Sequence, residues 1–306
     1  MKYLYAPVFW KNNNLFSILL FPFSIIYFFL FKLKKFKQQL TAKKLKIKVI
    51  CIGNINVGGT GKTPITKLTY DILSKKFRCC TIKKYRSEHV DEINYLKKKT
   101  ELISKKNRLD AILSAQKKGY EVAILDDGLQ DYSFKKNLNI VCVKSNFAFG
   151  NKKMLPSGPL REPLSKLNEC QIAIINGERN IDLENFIRNK NAKIKIFRSK
   201  YKIKNLEKFI NTKFLAFSGI ADNESFFKLL KENNIEICAT REFPDHYNFT
   251  QNDLKNLINL AKKDNAKLIT TEKNYYNLCS DLNKTIQFLE LELNIESYEK
   301  LLNEIV

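Results

Sequence analysis

An apolar run that ends in a small-residue loop and then in Gly-Lys-Thr-Pro leaves few folds open. Residues 49–64 read Val-Ile-Cys-Ile-Gly-Asn-Ile-Asn-Val-Gly-Gly-Thr-Gly-Lys-Thr-Pro. A buried strand, a glycine loop and a helix start in that order form a nucleotide triphosphate cradle. Main-chain N–H groups wrap the phosphates, and the helix N-terminus adds partial positive charge. The loop residues Asn56, Val57, Gly58, Gly59, Thr60 and Gly61 would line the phosphates, Lys62 would reach the β- and γ-phosphates, and the Thr63 hydroxyl would ligate Mg²⁺. Pro64 fits the first helical turn, where its missing N–H costs nothing. Asn56 stands where the usual G-x-x-x-x-G-K-[ST] pattern has its first Gly, and Asn is expected to tolerate the positive φ that such a turn asks for.

The 306 residues suffice for one large or two medium α/β domains. Net charge is +23, from 54 basic and 31 acidic side chains, but only eight of the 54 are Arg. Lys is spread along the chain among many Asn and Ile, which speaks against a base-reading surface and so against nucleic acid as partner. Lysines beside an anionic bilayer would still assist docking. The seven cysteines, at 51, 79, 80, 142, 170, 238 and 279, form no CxxC pair and no zinc spacing with the two histidines. They read as small core residues in a reducing compartment, with neither disulfide nor zinc.

Residues 12–31 carry no charge, and from Leu15 to Phe31 the run is apolar except for Ser17, Pro22 and Ser24. Lys32, Lys34, Lys35, Lys37, Lys43 and Lys44 follow. No small-residue cleavage site follows the apolar core, so a secretory signal is not the reading. The segment either crosses a bilayer or lies partly embedded in it, with the lysines placing the rest on the cytoplasmic side.

Further along, strands are predicted at 46–52, 79–85, 122–126, 138–143, 171–175, 195–201, 213–218, 267–271 and 286–293. Helices are predicted after Thr63, over 108–118 ahead of Gly119, after Asp222, and from a capping box of Thr250 with Asp253. Residues 86–92 read as a polar loop. The strand at 122–126 ends in Asp126-Asp127-Gly128. An acid at the carboxyl end of a strand beside such a loop is where phosphotransfer proteins hold Mg²⁺, and either Asp126 or Asp127 fits. Residues 156–163, Pro-Ser-Gly-Pro-Leu-Arg-Glu-Pro, read as an ordered surface loop displaying Arg161. The expected architecture is an α/β P-loop-like α/β/α core over 45–200. A membrane-associated segment over 1–44 precedes it, and a smaller α/β domain with connector strands over 201–306 follows.

Four stretches taken together, Gly53-Asn54 through Pro64, Asp126-Asp127-Gly128-Leu129-Gln130, Pro156 through Pro163 and Phe243-Pro244-Asp245-His246, resemble tetraacyldisaccharide 4′-kinase, the lipid A 4′-kinase of Gram-negative bacteria. The resemblance covers nearly the whole chain to about residue 295. It implies a transferase on the cytoplasmic face of the inner membrane that moves the γ-phosphoryl of ATP, with Mg²⁺, to the 4′-hydroxyl of an acylated glucosamine disaccharide 1-phosphate. It further implies catalytic roles for Lys62, Asp91 and His246, with Asp91 or its neighbour Glu92 as base, and acceptor contacts from Arg161 and Gln130. A lipid surface and the lipid acceptor are then the partners, and no obligate protein partner is indicated.

The chain departs from the family's pattern in places. The family's SRGYG stretch is Ile82-Lys83-Lys84-Tyr85-Arg86, the histidine of DDGLQH is Asp131, and the aspartate of TEKD is Asn274. Two other readings compete. A membrane-bound ATPase or switch of the deviant P-loop type would carry a signature Lys where Val57 stands, and a GTPase would need an NKxD element that Asn151-Lys152-Lys153-Met154 lacks. A nucleotide-binding scaffold without turnover would not need Lys62, Thr63 and the Asp126-Asp127 pair intact.

Overall fold

A computed structural model describes residues 7–278 and 285–306; Cys279 lies outside the described residues. They fall into two compact units. The larger holds residues 7–85, Lys99–Lys200 and Leu293–Val306, and the smaller holds Arg86–Lys98 and Tyr201–Glu292.

Twelve strands are described: β1 (Lys48–Gly53), β2 (Cys79–Lys84), β3 (Leu102–Lys105), β4 (Val122–Asp126), β5 (Leu138–Lys144), β6 (Ile172–Asn176), β7 (Lys195–Ile203), β8 (Phe214–Ser218), β9 (Ile237–Glu242), β10 (Lys267–Thr271), β11 (Ile286–Leu289) and β12 (Leu291–Ile295). The helices are α1 (Leu15–Leu19), α2 (Phe21–Leu40), α3 (Lys62–Leu73), α4 (Val90–Lys99), α5 (Arg108–Lys117), α6 (Ile181–Lys190), α7 (Asn223–Glu232), α8 (Gln251–Lys263), α9 (Glu272–Tyr275) and α10 (Tyr298–Ile305).

In the larger unit the sheet order is β12-β7-β6-β5-β1-β4-β2-β3, with β1 parallel to both β4 and β5. Successive residues of β1 feed opposite faces: Val49 and Cys51 join one buried cluster with Ala111 and Ile112 of α5, while Ile50 and Ile52 join another with Ile65 and Ile72 of α3. A strand buried on both faces must be apolar throughout, which is why β1 reads as an unbroken run. The register sets Ile52 beside Asp126, so the glycine loop after β1 and the carboxylates after β4 leave the same edge of the sheet. Gly53 is required there, because a Cβ would stand 2.7 Å from Leu129 Cγ.

The smaller unit carries a four-stranded parallel sheet, β11-β10-β8-β9, filled on one face by Phe226, Phe227 and Leu230 of α7 and on the other by Leu254, Leu257 and Ala261 of α8. The Thr250–Asp253 capping box forms as read from the sequence.

Several expectations are corrected. The stretch 86–92 is not a loop: a 3₁₀ turn over Ser87–His89 runs into α4, whose only buried residues are Asp91 and Leu96. The run at 286–293 is two strands that join different sheets. The apolar stretch from Leu15 is two helices broken at Leu20, because Pro22 sits in the first turn of α2. Among the described residues no helix is long and apolar enough to cross a membrane. Instead α2 turns its polar residues inward: Ser24 bonds the Met154 carbonyl at 2.8 Å, Tyr27 bonds that of Arg161 at 3.1 Å, and Lys35 pairs with Glu169. Phe23, Phe29, Leu33 and Phe36 are each about 60 % exposed on the other side. The six described cysteines are unbridged.

Candidate active site

The loop between β1 and α3 takes positive φ at Gly58 (108°) and Gly61 (82°), where only glycine sits without strain. Asn56 does not: it stays outside the left-handed region, and its side chain donates to the Ala148 carbonyl at 2.7 Å. The expected tolerance for positive φ at that position is therefore not used. The proline-rich stretch 156–163 is likewise no surface display. Ser157, Leu160 and Glu162 are buried, Val57 N donates to Pro159 O, and Arg161 N donates to Ile55 O, each at 2.8 Å. This second strap fixes the glycine loop from outside. Inside it, the Thr60 hydroxyl is buried without a hydrogen-bond partner among the described residues, and Lys62 Nζ reaches back to Gly58 O at 3.4 Å.

Thr63, in the first turn of α3, donates to Asp126 Oδ2 at 3.0 Å. Asp126 is fully buried; Thr66 reaches its other oxygen at 3.4 Å, and Lys83 Nζ stands 2.6 Å from Oδ2. Asp127, at φ 58°, faces another way. The Arg161 guanidinium forks onto both its oxygens at 2.8 and 3.1 Å and also bonds Asn54. Burial alone would push the Asp127 carboxyl up. The charges of Lys62 and Arg161 outweigh it and hold the group well below the usual carboxylate range. Gln130 donates to Asn54 O at 2.8 Å. With Arg161, Tyr27, Lys34 and Lys35 it lines a cavity of about 250 Å³ beside α2. Thus Lys62, Thr63, Asp126, Asp127, Gln130 and Arg161 converge in the larger unit.

The smaller unit gathers the other two candidates. Asp91, in the first turn of α4, is 3 % exposed, and both its oxygens lie 2.9 Å from His246 Nδ1. Lys273 Nζ is 2.9 Å from its Oδ2. Burial opposes the charge on Asp91, yet Lys273 and His246 prevail and lower its pKa. Glu92 pairs more loosely with Lys273, at 3.7 Å. His246 itself sits at φ 59°, a conformation that non-glycine residues seldom hold without cause.

A family model described as Tetraacyldisaccharide-1-P 4′-kinase matches residues 16–82 and 78–306. The chain belongs to that family. Relatives named tetraacyldisaccharide 4′-kinase include one from Pelagibacter ubique, 40 % identical over 99 % of this chain and 98 % of its own length. Another, from Rickettsia canadensis, is 38 % identical over 99 % and 97 %. Among solved structures, the "apo" form of LpxK from Aquifex aeolicus in complex with ATP shares the fold, with a TM-score of 0.71, 23 % identity, and coverage of 94 % of this chain and 98 % of that one.

The departures from the family's motifs now have structural occupations. Asp131 accepts from Ser133 N and Oγ and faces Arg108 at 3.6 Å. Asn274 brackets the turn after β8, accepting from Gly219 N at 3.0 Å and donating to Gly219 O at 3.2 Å. Sequence reasoning missed Lys83 and Lys273 as site residues. Both stand at or just beyond the carboxyl end of a buried parallel strand, where a lysine is anomalous unless it meets a charge; that was the available signal.

Asp127→Asn should lower the urea midpoint at pH 7. Because the folded pKa is depressed, this ionic contribution is complete above the ordinary carboxylate value of about 4 and fades as pH falls through the folded value. The gap between wild type and variant is therefore expected to be widest near neutrality and to narrow below about pH 4. A gap unchanged between pH 7 and pH 3 contradicts the assignment.

Proposed function

We propose that this chain carries out the reaction for which its relatives are named, transfer of the ATP γ-phosphoryl to the 4′-hydroxyl of a tetraacyldisaccharide 1-phosphate in lipid A biosynthesis. The observation that carries the reading is the Gly-Lys-Thr loop seated against Asp126, within a chain of this family. Main-chain amides and Lys62 would bear on the β- and γ-phosphates, where negative charge shifts during transfer.

A divalent ion fits the donor set on that loop. Thr63 and Asp126 offer oxygen atoms already in contact, which suits a hard cation such as Mg²⁺. When bound, Mg²⁺ neutralises charge on the transferred phosphoryl. Asp127, forked by Arg161, acts in this reading as the strut that holds the strap, which favours Asp126 as the metal-contacting acid.

Asp91 and His246 would accept the proton of the sugar hydroxyl late in transfer, as a pair. An ionised carboxylate only accepts hydrogen bonds, so Nδ1 of His246 carries the proton that faces Asp91, and Nε2 is the nitrogen that the neutral imidazole would offer as acceptor. Lys273 keeps Asp91 ionised. Gln130 and Arg161, with Lys34 and Lys35 around the same cavity, supply amide and cationic groups suited to a phosphorylated sugar headgroup. The outward Phe and Leu of α1 and α2, followed by lysines in the second half of α2, support attachment to an anionic lipid surface, the cytoplasmic face of the inner membrane.

Incubation with γ-labelled ATP and a tetraacyldisaccharide 1-phosphate is expected to label the lipid, and ATP loss should depend on added lipid. Lys62→Ala should cut the rate by about 100-fold or more. Asp91→Ala and His246→Ala should each slow turnover while ATP binding persists, and the double variant should be no slower than the worse single. ATP consumption indifferent to lipid would sink the kinase reading, and multiplicative losses would separate the pair. Phe29→Glu with Phe36→Glu should release the protein from anionic vesicles in co-sedimentation; undiminished pelleting contradicts the docking face.

A further inference from the structure

The chain has two histidines, and folding places them against each other. His89 Nδ1 lies 3.2 Å from His246 Nε2, with the rings at 74°. Their separation of 157 positions explains why no metal spacing is visible in the sequence. Glu92 lies one helical turn beyond His89, its Oε2 3.9 Å from His89 Nδ1. One ligand atom from each of His89, Glu92 and His246 falls within 4.8 Å of the others.

Three features of this cluster favour a transition ion over a plain hydrogen bond between rings. Two nitrogens at about 2.0–2.1 Å from a tetrahedral zinc are about 3.3–3.4 Å apart, close to the spacing found. His246 meets the outer requirement too: its Nδ1–H is fixed on Asp91, the carboxylate–histidine arrangement that aims the opposite nitrogen at a metal. Finally, the carboxylates of Asp91, Glu92 and Asp245 all gather within 4 Å of the Lys273 ammonium, so the cluster sits in an acidic neighbourhood suited to a dication. The Glu92 carboxylate has to move inward by about half an ångström relative to His89 and by up to about 1.5 Å relative to His246 to complete a tetrahedral set, which a partly exposed side chain on the first turn of α4 allows.

We propose that His89, His246 and Glu92 bind one zinc-type divalent ion, with the fourth position open to water, and that the bound ion blocks phosphoryl transfer by occupying Nε2 of His246. The blocking half rests on the reading of Asp91 and His246 as the proton-accepting pair; the binding half does not. His89 is the discriminating residue, because it contributes to the metal and is not one of the pair read as accepting the proton.

The test uses the full chain without a histidine tag. Zinc chloride is titrated against a chromophoric chelator, and cobalt(II) is substituted to read tetrahedral coordination from its visible absorption. One ion per chain is expected. His89→Phe, which keeps a ring in place, should weaken binding by at least tenfold, as should Glu92→Gln. Asp91→Asn should weaken it by about 10–100-fold through the outer hydrogen bond. In transfer assays with Mg²⁺ held constant and each protein compared with its own zinc-free rate, buffered zinc should inhibit wild type, while His89→Phe loses the inhibition. Absence of stoichiometric binding, or equal affinity in His89→Phe, overturns the site. Binding without inhibition of an active enzyme overturns the blocking role. A protein that binds zinc but transfers no phosphoryl to lipid in zinc-free buffer refutes the kinase reading and leaves the metal site standing.

Discussion

The hydroxyl of Thr63 resting on Asp126, with Lys83 on the same carboxylate, ties three elements of the larger unit at one buried point. α3 supplies the threonine, β4 the acid and β2 the lysine. A carboxylate with no exposure would be costly alone, and its partners make the burial tolerable. The glycine loop thereby acquires a floor. The strap of residues 156–163 gives it a wall, through main-chain bonds at Val57 and Ile55 and the Arg161 fork on Asp127. A loop held on two sides presents its amides without reorganising, and such preorganisation is where electrostatic catalysis draws its strength.

Both candidate centres keep a non-glycine residue in left-handed backbone, Asp127 in one unit and His246 in the other. In each case the surroundings over-determine the side chain. Arg161 grips Asp127 with two nitrogens, and Asp91 meets His246 with both oxygens. Strain of this kind costs of order 1–3 kcal/mol per residue and persists where neighbouring contacts enforce it. The His246 ring in particular is held in direction by a buried carboxylate.

The sequence disclosed the central strands and the strongly periodic helices, and concealed elements whose burial leaves no regular apolar pattern. β1, β4, β5 and β6 read correctly because strands in the middle of a parallel sheet are apolar throughout. The two strands absent from the sequence reading, β3 and β9, are both edge strands, short and polar at their ends. α4 was hidden for a related reason: it buries one leucine and one aspartate, so no apolar period marks it. The phosphate loop was legible from its spacing. Asp91 and His246 were reachable only through family resemblance, since 155 residues separate them and nothing local announces the contact. The roles of Lys83 and Lys273 depend on which strands neighbour one another, which pattern alone does not give.

The grip of main-chain amides on a triphosphate is open to direct measurement by hydrogen exchange across residues 57–66, with and without Mg·ATP. Slowed exchange confined to the amides of Gly58 through Thr63, and weakened in Lys62→Ala, is the expected result. Exchange in that stretch indifferent to the nucleotide would contradict the account at its root.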